Sequence, residues 1–217
     1  MIQTTANHYT IACFLKFGEK NNILDLYENG TIWMSSLQFI RVCDEIAGDK
    51  YEGVHSIDNL PSGIFQIPQF NYEGNYLKMH VRGSYERVLG NIFCLYAISS
   101  LGFPNLNDFF IDQKMMSFGS HVLLIKNCPE FISRIRKKLN LMPFNYWTKM
   151  VHYYDKDSIN GQIGVFQKRN ELEYQKEFRI FIDRDEITPF SFAIGSLKQI
   201  SEIHESEYLI KHLKLSA

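Results

Sequence analysis

The stretch EYQKEFRIFID, Glu173 to Asp183, decides how this chain is read. As a β-strand it alternates, with Phe178, Ile180 and Ile182 on one side and Gln175, Glu177, Arg179 and Phe181 on the other. The first set is what a core-facing side requires. The second puts an amide, a carboxylate and a guanidinium in a row on an otherwise hydrophobic strand. Two explanations are open. The row is a solvated face with cross-strand charge pairs, or Gln175 and Glu177 line the wall of a cleft. In a cleft the amide can grip a sugar hydroxyl. The carboxylate can stabilise a cation developing in an oxocarbenium-like state, an effect that counts most in a dry site.

The chain around this strand has 217 residues, enough for one large domain with a substantial core. Its apolar fraction of 45% and charged fraction of 22% are those of an ordinary globular protein, and Phe and Tyr are abundant. A net charge of −1 speaks against a globally basic nucleic-acid binder and leaves room only for a local basic patch. Cys13, Cys43, Cys94 and Cys128 show no CxxC-like spacing, which disfavours a zinc knuckle. Cys13 and Cys94 sit in apolar runs, where a buried free thiol is expected. The N-terminus carries no secretory pattern and no run is long enough to span a membrane. A reducing cytoplasm is the expected location.

Along the chain, strands are expected at 8–17, 31–39, 92–98, 118–127, 147–155, 173–183 and 190–196. Helices are expected at 19–30, stopped by Gly30, and at 128–141, where Pro129 suits a first turn and Phe131, Ile135 and Leu139 share a face. The tail after 199 reads as helix or strand. Residues 44–83 read as a loop insertion, because 44–76 is rich in Gly, Pro, Asn and Asp. Strands with few helices and no regular βαβ alternation indicate an α+β fold. The lack of GxGxxG and GxxxxGK[ST] disfavours Rossmann and P-loop domains.

Three further groups of residues carry possible chemistry. Ser35 and Ser36 sit in a strand where β-branched residues would pack better. They are either locally satisfied hydroxyls at a strand end or anchors beneath a ligand, with Trp33 or Phe39 as a stacking surface. Asp44, Glu45, Asp49 and Glu52 cluster in CDEIAGDKYEG. This is either a solvated acidic turn or a site for Mg²⁺ or Ca²⁺, as in a metal-dependent nuclease using Asp44, Asp49 and Glu52. Arg134, Arg136, Lys137 and Lys138 share a helix and form either its solvated side or a phosphate-binding face. The histidines show no HExxH pairing, and there is no GxSxG elbow.

A strand with a cation (FLKFG), a short helix, a strand with paired serines and aromatics (TIWMSSLQF), and a distant Gln-x-Glu (YQKEFRIFI) together resemble the ADP-ribosyltransferase superfamily. The chain is similar as well to a group of bacterial domains of unknown function, through GDKYEG after the second strand and YQKEFR near the end. These motifs cover about three strands. The resemblance implies a single domain over 1–217, built of two small, mainly antiparallel sheets packed as a split sandwich with flanking helices. It implies NAD as substrate, cleaved by a glycosyl-transfer reaction. Glu177, Gln175 and Arg179 would be catalytic. Lys16, Ser35, Ser36 and Phe39 would bind NAD, Lys16 standing where the superfamily has Arg or His. Arg169, Asn170 and Tyr174 would contact the acceptor, a nucleic acid or protein, with no metal in the site. A toxin or anti-phage effector with a neutralising antitoxin as partner, and without a membrane role, is the implied setting. A non-catalytic interaction domain is the rival from another class.

Overall fold

The computed structural model describes residues 9–43, 49–105 and 109–215. The first strand, β1 (Ile11–Gly18), leads through Glu19 into helix α1 (Lys20–Asn29). Ile23 and Leu26 form the buried stripe of that helix. Gly30 ends it at φ 67°, where its N–H reaches back to the Leu26 carbonyl. The next strand, β2 (Thr31–Ser36), stops earlier than the sequence predicts. The Ser36 hydroxyl accepts the Phe39 N–H at 3.2 Å and starts helix α2 (Leu37–Val42). Phe39 is therefore a helix residue, and Ser36 is a buried cap instead of a ligand anchor.

The expected loop at 44–83 is a correction. Beyond Glu52 the chain forms β3 (Val54–Leu60), β4 (Gly63–Ile67), β5 (Tyr72–Tyr76) and β6 (Met79–Ser84). Strands β3 and β6 pair antiparallel, and so do β4 and β5, around a turn with Asn71 at φ 45°. Glycines at 63, 74 and 83 each lie against an aromatic ring of a neighbouring residue, where a Cβ would collide. Glycines placed for close packing looked like loop composition.

The long strand β7 (Asn91–Ser99) is buried along nearly all its length and organises the main sheet. The chain continues with β8 (His121–Ile125), helix α3 (Cys128–Leu139), β9 (Asn145–Met150), β10 (His152–Tyr154), β11 (Gly161–Gln162) and β12 (Gln167–Arg169). A 3-10 turn over Asn170–Gln175 precedes β13 (Glu177–Asp183), with Lys176 between them at φ 39°. Gln175 is thus on the turn and not on the strand. The chain closes with β14 (Phe190–Ala193), β15 (Ser201–Glu205) and helix α4 (Ser206–His212).

The fold is α+β and its sheets are mostly antiparallel. Among the described residues the main sheet has eight strands and branches. One edge of β7 pairs with β13, and β13 with β9. The other edge serves two strands in turn. Ile98 to Tyr96 pair with β1, which continues to β8 and β15; Ile92 and Asn91 pair with β2, which continues to β14. Between these arms, Phe93, Cys94 and Leu95 have, among the described residues, a strand neighbour only on the β13 side.

Helices α1 and α3 cover one face, burying Phe14, Phe131, Ile135, Phe178, Ile180 and Ile182 together. The opposite face packs Leu15, Phe17, Tyr96 and Ile98 under Met115 and Leu209. Both faces of β13 are buried, so the polar row Glu177 and Arg179 is not solvated: their exposures are 3% and 0%.

Candidate functional site

Where the two arms diverge along β7, a cavity of about 170 Å³ opens to the surface. Its wall gathers residues from distant parts of the chain: Lys16 of β1, Ser35 of β2, Phe39 of α2, Gln175 of the turn and Glu177 of β13. Trp33 also lines it, and both it and Phe39 keep more than half of their surface exposed. Aromatic faces left at the rim of a cavity are available to stack on a ring.

Glu177 is the anionic centre. Its Oε1 accepts from Arg179 Nε at 2.6 Å, and its Oε2 lies 2.7 Å from Lys168 Nζ. Burial by itself would raise its pKa, but the charges of Arg179 and Lys168 outweigh it and hold the carboxyl well below the usual carboxylate range. Its backbone N–H donates to the Tyr153 hydroxyl at 2.9 Å, fixing the first residue of the strand. Gln175 accepts from the same Lys168 ammonium at 2.8 Å. One lysine therefore orients both residues of the Gln-x-Glu pair.

Arg179 stands behind Glu177 and does not line the cavity. Its two terminal nitrogens grip Glu52 at 2.9 and 3.1 Å, a two-pronged pair, and it also donates to the Val165 carbonyl. Four buried charges, Lys168, Glu177, Arg179 and Glu52, thus form a balanced chain. Burying any one alone would cost several kcal/mol, roughly, in the absence of its partners. Arg179 positions the carboxylate; it does not reach a ligand. Lys168 is the residue that sequence reading missed, and Glu52, read as part of an acidic turn or a metal site, instead pairs with Arg179. Only the register of β13 brings them together.

Lys16 sits in the gap between the arms. Its Nζ donates to the carbonyl of Cys94 at 3.0 Å and lies 4.6 Å from the centre of the Phe93 ring. Burial lowers its pKa, against smaller opposing effects from Cys94 and Glu177. The Cys94 thiol is pushed up to about 12, first by burial and then by Glu177.

The other candidates lie elsewhere. Arg169 is held by Glu171 at 2.6 Å and lies 3.5 Å from Asp49, with its guanidinium over the Tyr51 ring. Asn170 is exposed at the start of the turn. Tyr174 packs against the Tyr96 cluster, and its hydroxyl accepts from Gln175 Nε2 at 3.4 Å. None of the three lines the cavity, and Tyr174 meets it through Gln175. In the acidic segment, Asp44 and Glu45 lie outside the described residues, while Asp49 and Glu52 turn toward arginines. Among the described residues no three His, Cys, Asp or Glu side chains are grouped to hold a metal. On α3, Arg134 is tied to Glu130 and to the Ser196 carbonyl, and Arg136 to Thr148. No helix among the described residues is long and apolar enough to cross a membrane.

No protein-family model, no curated protein and no solved structure matches this chain.

Proposed function

We propose that the protein is an NAD-dependent ADP-ribosyltransferase acting on a macromolecular acceptor, nucleic acid or protein, in the manner of a toxin or anti-phage effector. One observation carries the reading. Lys16, Ser35, Phe39, Gln175 and Glu177, up to 161 residues apart, line a single cavity whose wall carries a carboxylate paired with Lys168 and Arg179. In this reading the two arms that part along β7 are the halves of a split sandwich, and the gap between them is the NAD site.

The chemistry follows from the charges. The bond between ribose C1′ and the nicotinamide nitrogen breaks with its electron pair going to the nitrogen, so nicotinamide leaves neutral and positive charge develops at the ribose. A carboxylate already fixed by Arg179 and Lys168 needs no reorganisation to stabilise that charge. The Gln175 carbonyl is taken by Lys168 and one amide N–H points to the Tyr174 hydroxyl, so its second N–H is the donor for a ribose hydroxyl. Phe39 and Trp33 supply a stacking face for the nicotinamide ring. The cavity suits the nicotinamide and ribose end of NAD, with the rest of the dinucleotide lying along the open rim.

A non-catalytic interaction domain would account for the buried ion pairs. It gives no reason for an open cavity beside them, lined by an amine with no ion pair among the described residues and by two rim aromatics. NAD labelled in its adenylate half, incubated with the protein and a cell lysate, distinguishes the two. Transfer of label to the protein or nucleic-acid fraction is expected. An unlabelled lysate together with intact NAD would contradict the reading.

A further inference from the structure

Glu177 is poorly suited to remove a proton. Both its oxygens are engaged by cations, and a carboxylate held so far down is a weak base. An acceptor that attacks through an O–H or N–H must nevertheless lose that proton. Among the described residues, the other titratable groups on the cavity wall are Lys16, Cys43, Cys94, Tyr96 and Lys168. Lys168 is kept protonated by its contact with Glu177. Burial pushes the Cys94 thiol and the Tyr96 hydroxyl upward, so neither is available as an anion. Lys16 differs from all of these. Among the described residues its amine makes one hydrogen bond, to a neutral carbonyl, and no ion pair. The titratable groups that act on it are the Cys94 thiol from β7 and the Glu177 carboxylate from β13, and burial outweighs both.

We propose that the Lys16 amine, on the same cavity wall as Glu177 and hydrogen-bonded only to the Cys94 carbonyl among the described residues, takes the proton from the acceptor's O–H or N–H as that atom attacks ribose C1′, which makes Lys16 the general base of the transfer and the acceptor a protic nucleophile. This rests on the NAD-cleaving reading above. The acceptor's lone pair forms the new bond to C1′. The electrons of the old C1′–N bond leave with nicotinamide, and the proton passes to Nζ as an ammonium that returns it to water. An arginine at this place would carry a charge at all times and could still donate to the Cys94 carbonyl, but it has no lone pair to offer.

Two independent measurements test this. In the first, the protein is acetylated with a trace of acetic anhydride at a series of pH values, and each lysine is followed by mass spectrometry. Lys16 should gain reactivity at lower pH than the exposed Lys137 and Lys138. Titration together with them, or above them, overturns the proposal whatever happens to NAD. In the second, labelled NAD is turned over by the wild type, Lys16→Arg, Lys16→Ala and Cys43→Ser. Lys16→Arg should transfer about 10²-fold more slowly or worse, and small primary amines should restore turnover to Lys16→Ala. Lys16→Arg at the wild-type rate with an unchanged pH profile, or loss in Cys43→Ser instead, overturns it. No nicotinamide release by the wild type rejects the NAD reading and this role with it, while the acetylation profile still reports separately on the amine.

Discussion

Arg179 joins two carboxylates from distant parts of the chain, Glu177 on its own strand and Glu52, 127 positions before the arginine and ahead of β3. Replacing it with Leu leaves two buried anions with one remaining cation, Lys168. Urea unfolding of Arg179→Leu should show a loss of about 3–5 kcal/mol, as for breaking other buried pairs from one side. The double variant Glu177→Leu with Arg179→Leu should cost less than the sum of its parts, because those two charges leave together. The pH dependence has a definite sign. Glu177 has a folded pKa below its ordinary value of 4.5, so its stabilisation is present above that value and is lost as pH falls toward the lowered one. The stability gap between wild type and Glu177→Gln should therefore be flat above about pH 5.5 and narrow only in more acid solution. A gap that already closes near neutrality would mean that the carboxylate is not held by its partners. At this scale Glu177 was legible, because the alternation of Phe178, Ile180 and Ile182 assigned it a face, whereas Gln175, given the same face, lies on the turn before the strand. Their shared partner Lys168 was not legible, since nothing local ties a lysine in QKR to a carboxylate nine positions on.

Elements with a strong period were read correctly in kind. Helices α1 and α3 show apolar residues at helical spacing and carry Gly30 and Pro129 as stop and start signals. Strands β7 and β13 show continuous or alternating burial. The junction of β2 and α2 was misread because Trp33 and Met34 favour a strand and the six-residue helix that follows is too short to show a period. Ser36 decides the boundary. Ser36→Ala should cost about 1 kcal/mol through loss of the cap and should also raise the KM for NAD, because the cap fixes Phe39 at the cavity. Gly30 is equally specific. A Cβ there would lie 2.1 Å from the Gly195 carbonyl oxygen on a backbone at φ 67°. Gly30→Ala should thus destabilise by more than the roughly 1 kcal/mol that a glycine is ordinarily worth, measured as a fall in thermal midpoint.

In the whole molecule the cavity is a consequence of topology. One edge of β7 is shared by β1 and β2, and the three residues left between them open the gap that Lys16 enters. No sequence pattern shows such a branch, because each strand separately looks ordinary and the gap exists only in their register. The arm formed by β3 and β6 belongs to the site through Glu52 at its base, whereas the hairpin of β4 and β5 pairs only with itself. Replacing residues 61–78 with an Asn-Gly turn would join Leu60 to Met79, which already face each other. It removes one exposed ion pair, Lys78 with Asp157, worth about 0–1 kcal/mol. The shortened protein should fold with nearly the same thermal midpoint and release nicotinamide at the wild-type rate.

The most direct measurement is free nicotinamide, by chromatography, after NAD is incubated with the wild type beside Glu177→Gln, with folding of both checked by circular dichroism. Release by the wild type that falls by about 10²–10³-fold in the variant, as when a preorganised electrostatic partner is removed elsewhere, is the expected result. Equal release from both, or none from either with lysate present as acceptor, would contradict the assignment of Glu177 as the centre of an NAD-cleaving site.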